Sequence, residues 1–165
     1  MQKSDYALLL LRVGFGLSMV AHGWNKIFSS NGITGTSGWF ASLGMRWPTI
    51  QARTAAYSEL AAGLLMVAGL LTGLAATIFV SLMLVAIITV HWKVGYFIFL
   101  PNGGWEYCAA IIVMSASLSL SGPGRISLDH VWEIPNDYSV FAVPLGVLLA
   151  LCHVAISFRP TPPTN

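Results

Sequence analysis

Charge is what this chain has least of. Only 8% of its 165 residues are Asp, Glu, Lys or Arg, against about a quarter in a typical soluble domain. So few charges cannot cover a water-facing surface, and an ordinary soluble fold is excluded. The formal charge of +2 is small and scattered, so no nucleic-acid partner is expected. Two cysteines cannot build a disulfide framework. No apolar span carries the Glu-x-x-His pair that di-iron helix bundles use. There is no bound-cofactor fingerprint, and no nucleophile with a base at readable spacing. No internal repeat is visible, which together with the small number of spans argues against a transporter. The N-terminal apolar run is interrupted by Arg12 and lacks a small-residue cleavage site. It is therefore expected to persist as a span rather than to leave as a signal.

What the chain does have is hydrophobic length. Apolar residues make up 56% of it, and the mean hydropathy is +0.74. A helix needs about 20 apolar residues to cross a bilayer. Residues 6–28 meet that requirement. The next apolar run, 54–90, would reach about 55 Å as one helix and overshoot the membrane. It is expected to break at Thr72-Gly73 into spans 54–71 and 74–92, with Gly63, Gly69 and Gly73 letting the two backbones approach. A fourth span, 104–120, stops at Ser121-Gly122-Pro123-Gly124. A fifth, 138–158, precedes Arg159 and a proline-rich tail expected to be short and disordered. The expected fold is an all-α membrane protein in the lipid bilayer.

Five spans sort the ionisable residues by side. If side A holds the N-terminus, side B receives the ends of spans one, three and five and the starts of spans two and four. His22 and Lys26, Glu59, His91 and Glu106 then all arrive at side B. Cys108 and the pair Cys152-His153 share it. Two connections on that side read as a roof. One is the glycine-rich stretch 31–38 followed by Trp39, Phe40, Leu43 and Trp47, spaced as the stripe of an interfacial helix. The other is the aromatic run 96–100. Interfacial anchoring by aromatic residues and a lid or lateral gate are both open readings of these segments.

At about 100° per residue, Arg12, Gly16, His22, Gly23 and Lys26 gather on one face of the first span, a face that must point inward in a membrane. Intramembrane charges normally pair within the bundle, and Lys26 with Glu59 is the most natural pair. Such a pair either fixes packing or serves a site. His22 and His91 with Glu59 and Glu106 form a mixed nitrogen and oxygen set that would suit iron or zinc, although no metal site is assigned. The same residues suit a quinone head group, whose carbonyls need donors and whose reduction needs protons; satisfied structural histidines are the plain alternative. Cys108 and Cys152 read either as a thiol pair or as two small buried residues.

The stretch Gly122-Pro123-Gly124-Arg125-Ile126-Ser127-Leu128-Asp129 resembles the closing motif of the DoxX family. The patterns Arg12-x-x-x-Gly16, His22-Gly23-x-x-Lys26, Glu59-x-x-x-Gly63 before Gly69-Leu70-Leu71-Thr72, and Gly103-Gly104-Trp105-Glu106-Tyr107 agree with it. The resemblance covers roughly residues 5–130. It implies a four-helix bundle, residues 1–130, in the inner membrane of a prokaryotic cell. Residues 131–165, with the fifth span, stand outside the family pattern and suggest a docking surface for a protein partner or a second copy. Family members include the small subunit of a thiosulfate:quinone oxidoreductase and a component of a membrane oxidoreductase complex linked to thiol and oxidative stress. The resemblance therefore implies a membrane-embedded oxidoreductase subunit, with a quinone or small sulfur substrate among Arg12, His22, Lys26, Glu59, His91 and Glu106. A non-catalytic scaffold subunit is the alternative. In physical terms the closing motif reads as a helix stop in which Ser127 or Asp129 caps the next segment and Arg125 reaches Asp129 or lipid phosphate.

Overall fold

The computed structural model describes residues 1–158; Arg159 and the proline-rich tail lie outside the described residues. Seven helices follow one another: α1 Lys3–Phe28, α2 Gly32–Ser42, α3 Pro48–Ala68, α4 Thr72–Ala86, α5 Glu106–Ser121, the single turn α6 Leu128–Val131, and α7 Ala142–Ser157. A π-helical turn, Ile87–His91, extends α4, and a 3-10 turn, Asp137–Phe141, leads into α7.

The long helices alternate in direction. Along α1 and α3, Arg12 meets Met66 and Val67, Gly16 meets Gly63, and Gly23 meets Ala56 and Leu60, so the two run antiparallel. A methyl group on Gly16 would lie 2.9 Å from the Gly63 carbonyl oxygen, and one on Gly63 would lie 2.8 Å from the Gly16 carbonyl oxygen. Only hydrogen at both positions permits this crossing. α7 runs parallel to α4: Gly73 abuts Tyr138 and Ser139, and Gly146 abuts Thr77 and Val80. The chain thus makes five passes. α1 starts at one end, here end A, and α7 finishes at end B, where Arg46 N–H donates to Ser157 O at 2.6 Å.

Three sequence expectations change. The turn between α3 and α4 falls at Gly69–Leu71, ahead of Thr72-Gly73. Gly69 (φ 64°) and Leu71 (φ 48°) are left-handed. The Asp129 carboxylate then accepts the Leu71 and Thr72 N–H groups at 2.6 and 2.9 Å, which makes Thr72 the start of a capped helix. Secondly, Gly63, Gly69 and Gly73 do not bring α3 and α4 together; they admit α1, the Arg12 and Ser127 side chains, and the segment before α7, respectively. Thirdly, the glycine-rich stretch before Trp39 is helical. Three glycines weaken α2 intrinsically, but Ile33, Phe40 and Leu43 pack with Met45 and Ala52, and that burial outweighs propensity.

The core runs along the bundle, with Met19, Met66, Phe79, Met83, Cys108, Ile111, Met114 and Leu118 buried together. Large apolar side chains also face outward, Leu10, Leu17, Val113, Leu120, Leu148 and Ile156 among them. Such an exterior is suited to lipid and not to water. Lys3–Phe28, Thr72–His91 and Asp137–Ser157 are long and apolar enough to cross a membrane. α5 is apolar but 16 residues long; α3 has 21 residues but carries Gln51, Arg53, Thr54 and Glu59.

Candidate functional site

At end B the bundle encloses a cavity of about 130 Å³. α1 contributes Met19, His22 and Lys26, α3 contributes Ala55 and Glu59, α4 and its π turn contribute Leu82, Met83, Thr89, Val90 and His91, and α5 contributes Tyr107 and Ile111. Trp39 and Phe40 of α2, with Met45 behind them, line the cavity from the connection between α1 and α3. Of the first expected roof, Trp39 and Phe40 thus line the cavity, whereas Leu43 and Trp47 do not. The aromatic run 96–100 does not line the cavity. It folds on itself, with Phe97 stacked on Phe99 and Tyr96 edge-on to Trp105.

Two polar pairs face this space. Lys26 Nζ donates to Glu59 Oε2 at 2.6 Å, their side chains 19% and 9% exposed, and the pair joins α1 to α3 as the charge arithmetic requires. His91 Nδ1 lies 2.8 Å from the Gly103 carbonyl oxygen, and its Nε2 lies 2.9 Å from the Tyr107 hydroxyl. A carbonyl only accepts, so Nδ1 carries the proton; in the neutral ring Nε2 then accepts from the Tyr107 hydroxyl. The π turn brings this about. Its wider winding turns Thr89, Val90 and His91 toward the cavity, and such turns often occur at functional sites.

The structure thus brings His22, Lys26, Glu59 and His91 together, His22 at an edge exposed on the outside of the bundle. It separates Arg12 and Glu106 from them. Arg12 is wholly buried near end A, where its guanidinium donates to the carbonyls of Met66 and Val67 at 3.4 Å and to that of Ile126. Its position on the inward face of α1 is as expected, but two further helical turns divide it from the cavity. The Glu106 carboxylate accepts the Ile98 N–H at 3.1 Å and holds the aromatic loop instead. Cys108 is a buried core residue and Cys152 is exposed; both are free thiols. Among the described residues no group of three His, Cys, Asp or Glu side chains is placed to hold a metal ion.

Tyr107 is the site residue that a search for charges misses. The signal was periodic: Tyr107, Ile111, Met114 and Leu118 recur at helical spacing and mark the inward face of α5, whereas Glu106 is rotated about 100° off it.

End A holds the closing motif. Ser127 caps α6 by accepting the His130 N–H at 3.2 Å, Asp129 caps α4, and the Ile126 carbonyl receives Arg12. The Arg125 backbone N–H, rather than its side chain, donates to Asp5 at 3.1 Å. Asp129 therefore caps a helix far earlier in the chain rather than the next segment.

Known proteins place this architecture. A family model described as DoxX matches residues 7–92. A Bacillus subtilis (strain 168) protein named "Putative oxidoreductase CatD" is 34% identical over 130 residues, covering 78% of this chain and 90% of that protein. No solved structure matches. The apolar helical bundle, the family match over half of the chain and the relative over most of it lead to one conclusion: the chain belongs to the DoxX family of membrane proteins.

Proposed function

We propose that this protein is the membrane subunit of an oxidoreductase system in a prokaryotic plasma membrane, and that the end-B cavity receives a quinone-like ring. The cavity carries the reading. An apolar cavity of about 150 Å³ in a protein interior accepts benzene, so a space of about 130 Å³ suits one six-membered ring. Its polar groups suit the ring's oxygens. The Tyr107 hydroxyl, which donates to His91 Nε2, can turn its proton to a ring carbonyl. The Lys26 ammonium has three donors, of which one is directed at Glu59. Reduction of a quinone takes up two electrons and two protons. The protons reach its oxygens through Tyr107 and His91 on one side and Lys26 and Glu59 on the other; the electrons come from a reduced substrate, such as a small sulfur compound, handled by a partner subunit. The name of the Bacillus relative supports the oxidoreductase class. Proximity favours His22, Lys26, Glu59, His91 and Tyr107 for these roles, and Arg12 and Glu106 are assigned to the scaffold.

The test is co-purification. Protein extracted into lipid nanodiscs should retain quinone, read in the lipid extract by chromatography and absorbance. His91→Ala and Tyr107→Phe should lose most of it, at least tenfold, while eluting as folded, inserted protein. A wild-type protein without quinone, or unchanged content in both variants, would falsify the reading and leave a scaffold subunit in its place.

A further inference from the structure

We infer that the ligand of this cavity carries an apolar tail, and that the tail lies in a second groove between α3, α4 and α7. The inference rests on the quinone reading and adds the ligand's shape and its route of entry. The second groove has a volume of about 410 Å³ and lies on the other side of the cavity's wall. Phe40, Met45, Ala55, Leu82 and Val85 line both spaces, so a single layer of side chains divides them. Beyond that layer the groove is bounded by Ile78 of α4 and Leu149 and Cys152 of α7, with Thr54, Ser58, Ser81 and His153 in a lining that is mostly apolar; it opens at the outside of the bundle, where Leu149 and Cys152 are exposed.

Two side chains of the dividing layer can turn on a fixed backbone. Phe40 and Met45 sit on the connection between α1 and α3, where Met45 N–H donates to Phe40 O and Gly44 N–H donates to Ala41 O, closing α2 through Gly44 at φ 82°. Met45 is unbranched and adapts its shape readily. The far end of this connection is fixed, because Arg46 N–H donates to Ser157 O and Gln51 Nε2 donates to Ser157 Oγ at 2.8 Å. A rotation of the Met45 and Phe40 side chains therefore joins cavity and groove without moving a helix. A ring with a chain attached then fits the pair as one site, the ring between His91 and Lys26 and the chain along Leu82, Val85 and Leu149. With a methylene taking roughly the 30 Å³ that a water occupies in the liquid, the groove takes on the order of ten carbons. This gives α7 a function: it forms the outer wall of the tail groove.

Cys152 makes the proposal measurable in the unmodified protein, since it lines the groove and Cys108 is buried in the core. In nanodiscs, two fully ring-substituted probes are compared: a benzoquinone bearing a decyl chain, and tetramethyl-benzoquinone, which has none. Both should bind, measured by displacement of bound quinone. The decyl probe should slow alkylation of Cys152 by a lipid-soluble maleimide several-fold, read by peptide mass spectrometry, and the tail-less probe should not. Leu149→Trp, which fills the groove, should weaken the decyl probe about tenfold and leave the tail-less one unchanged. If both probes bind and neither protects Cys152, the tail groove is wrong and the quinone reading stands. If neither probe binds, the quinone reading fails and the groove falls with it.

Discussion

A lysine and a glutamate in contact inside a membrane bundle are costly to separate. Removing one partner of a buried pair typically costs about 3–5 kcal/mol because the other charge is stranded, whereas an apolar replacement of both is often tolerated. Glu59→Gln and Lys26→Met should each lower thermal stability in detergent sharply, and the double variant should recover much of the loss. Simple additivity of the two losses would show that the 2.6 Å contact is not an energetic partnership. This pair was legible in the sequence because the ends of apolar runs fix the depth of Lys26 and Glu59 within a turn or so. The partners of Arg12 were not legible: they are backbone carbonyls of Met66, Val67 and Ile126, and a carbonyl leaves no mark on residue identity. Tyr107 lay between these cases, its periodicity readable but its chemistry neutral.

Among the elements, the α1–α3 crossing is the tightest contact. Gly63→Ala should destabilise the bundle, because the added methyl meets Gly16 O, Val20 Cγ2 and Val20 N at 2.8 Å. Gly14→Ala is the matched control on α1. Nothing lies within 4 Å of the new methyl there, and the exchange should stabilise the helix by about 0.5–1 kcal/mol. Parallel thermal melts decide it, and similar behaviour of the two variants would refute the crossing geometry. The long helices were readable from hydrophobic length and breakers. α2 was not, because its three glycines argue against a helix and the burial of Phe40 against α3 is a tertiary fact. The π turn was equally hidden, since no residue in Ile-Ile-Thr-Val-His signals wider winding.

For the molecule as a whole, five alternating long helices put Lys3 and Ser157 at opposite ends, and the positive residues choose between the two orientations. With Lys26 committed to Glu59, Arg46, Arg53 and Lys93 belong to end B, against Lys3 and Arg125 at end A. The positive-inside bias predicts that end B faces the cytoplasm. A fluorescent reporter fused after Asn165 should therefore emit, and an active phosphatase at the same point would invert the assignment. The alternation of the long helices was readable from the sequence, whereas the closure of end A by Asp129 was not, because it joins residues 57 and 58 positions apart. That distance also sets a schedule. During synthesis α3 and α4 enter the membrane well before the carboxylate that closes the turn between them has been made, and the Leu71 and Thr72 amides wait without their acceptor. The hairpin is provisional until the ribosome has passed Asp129, and the late segment acts as the latch on an early one. A chain stopped in the preceding loop would hold four of its long helices and still lack the means to lock them.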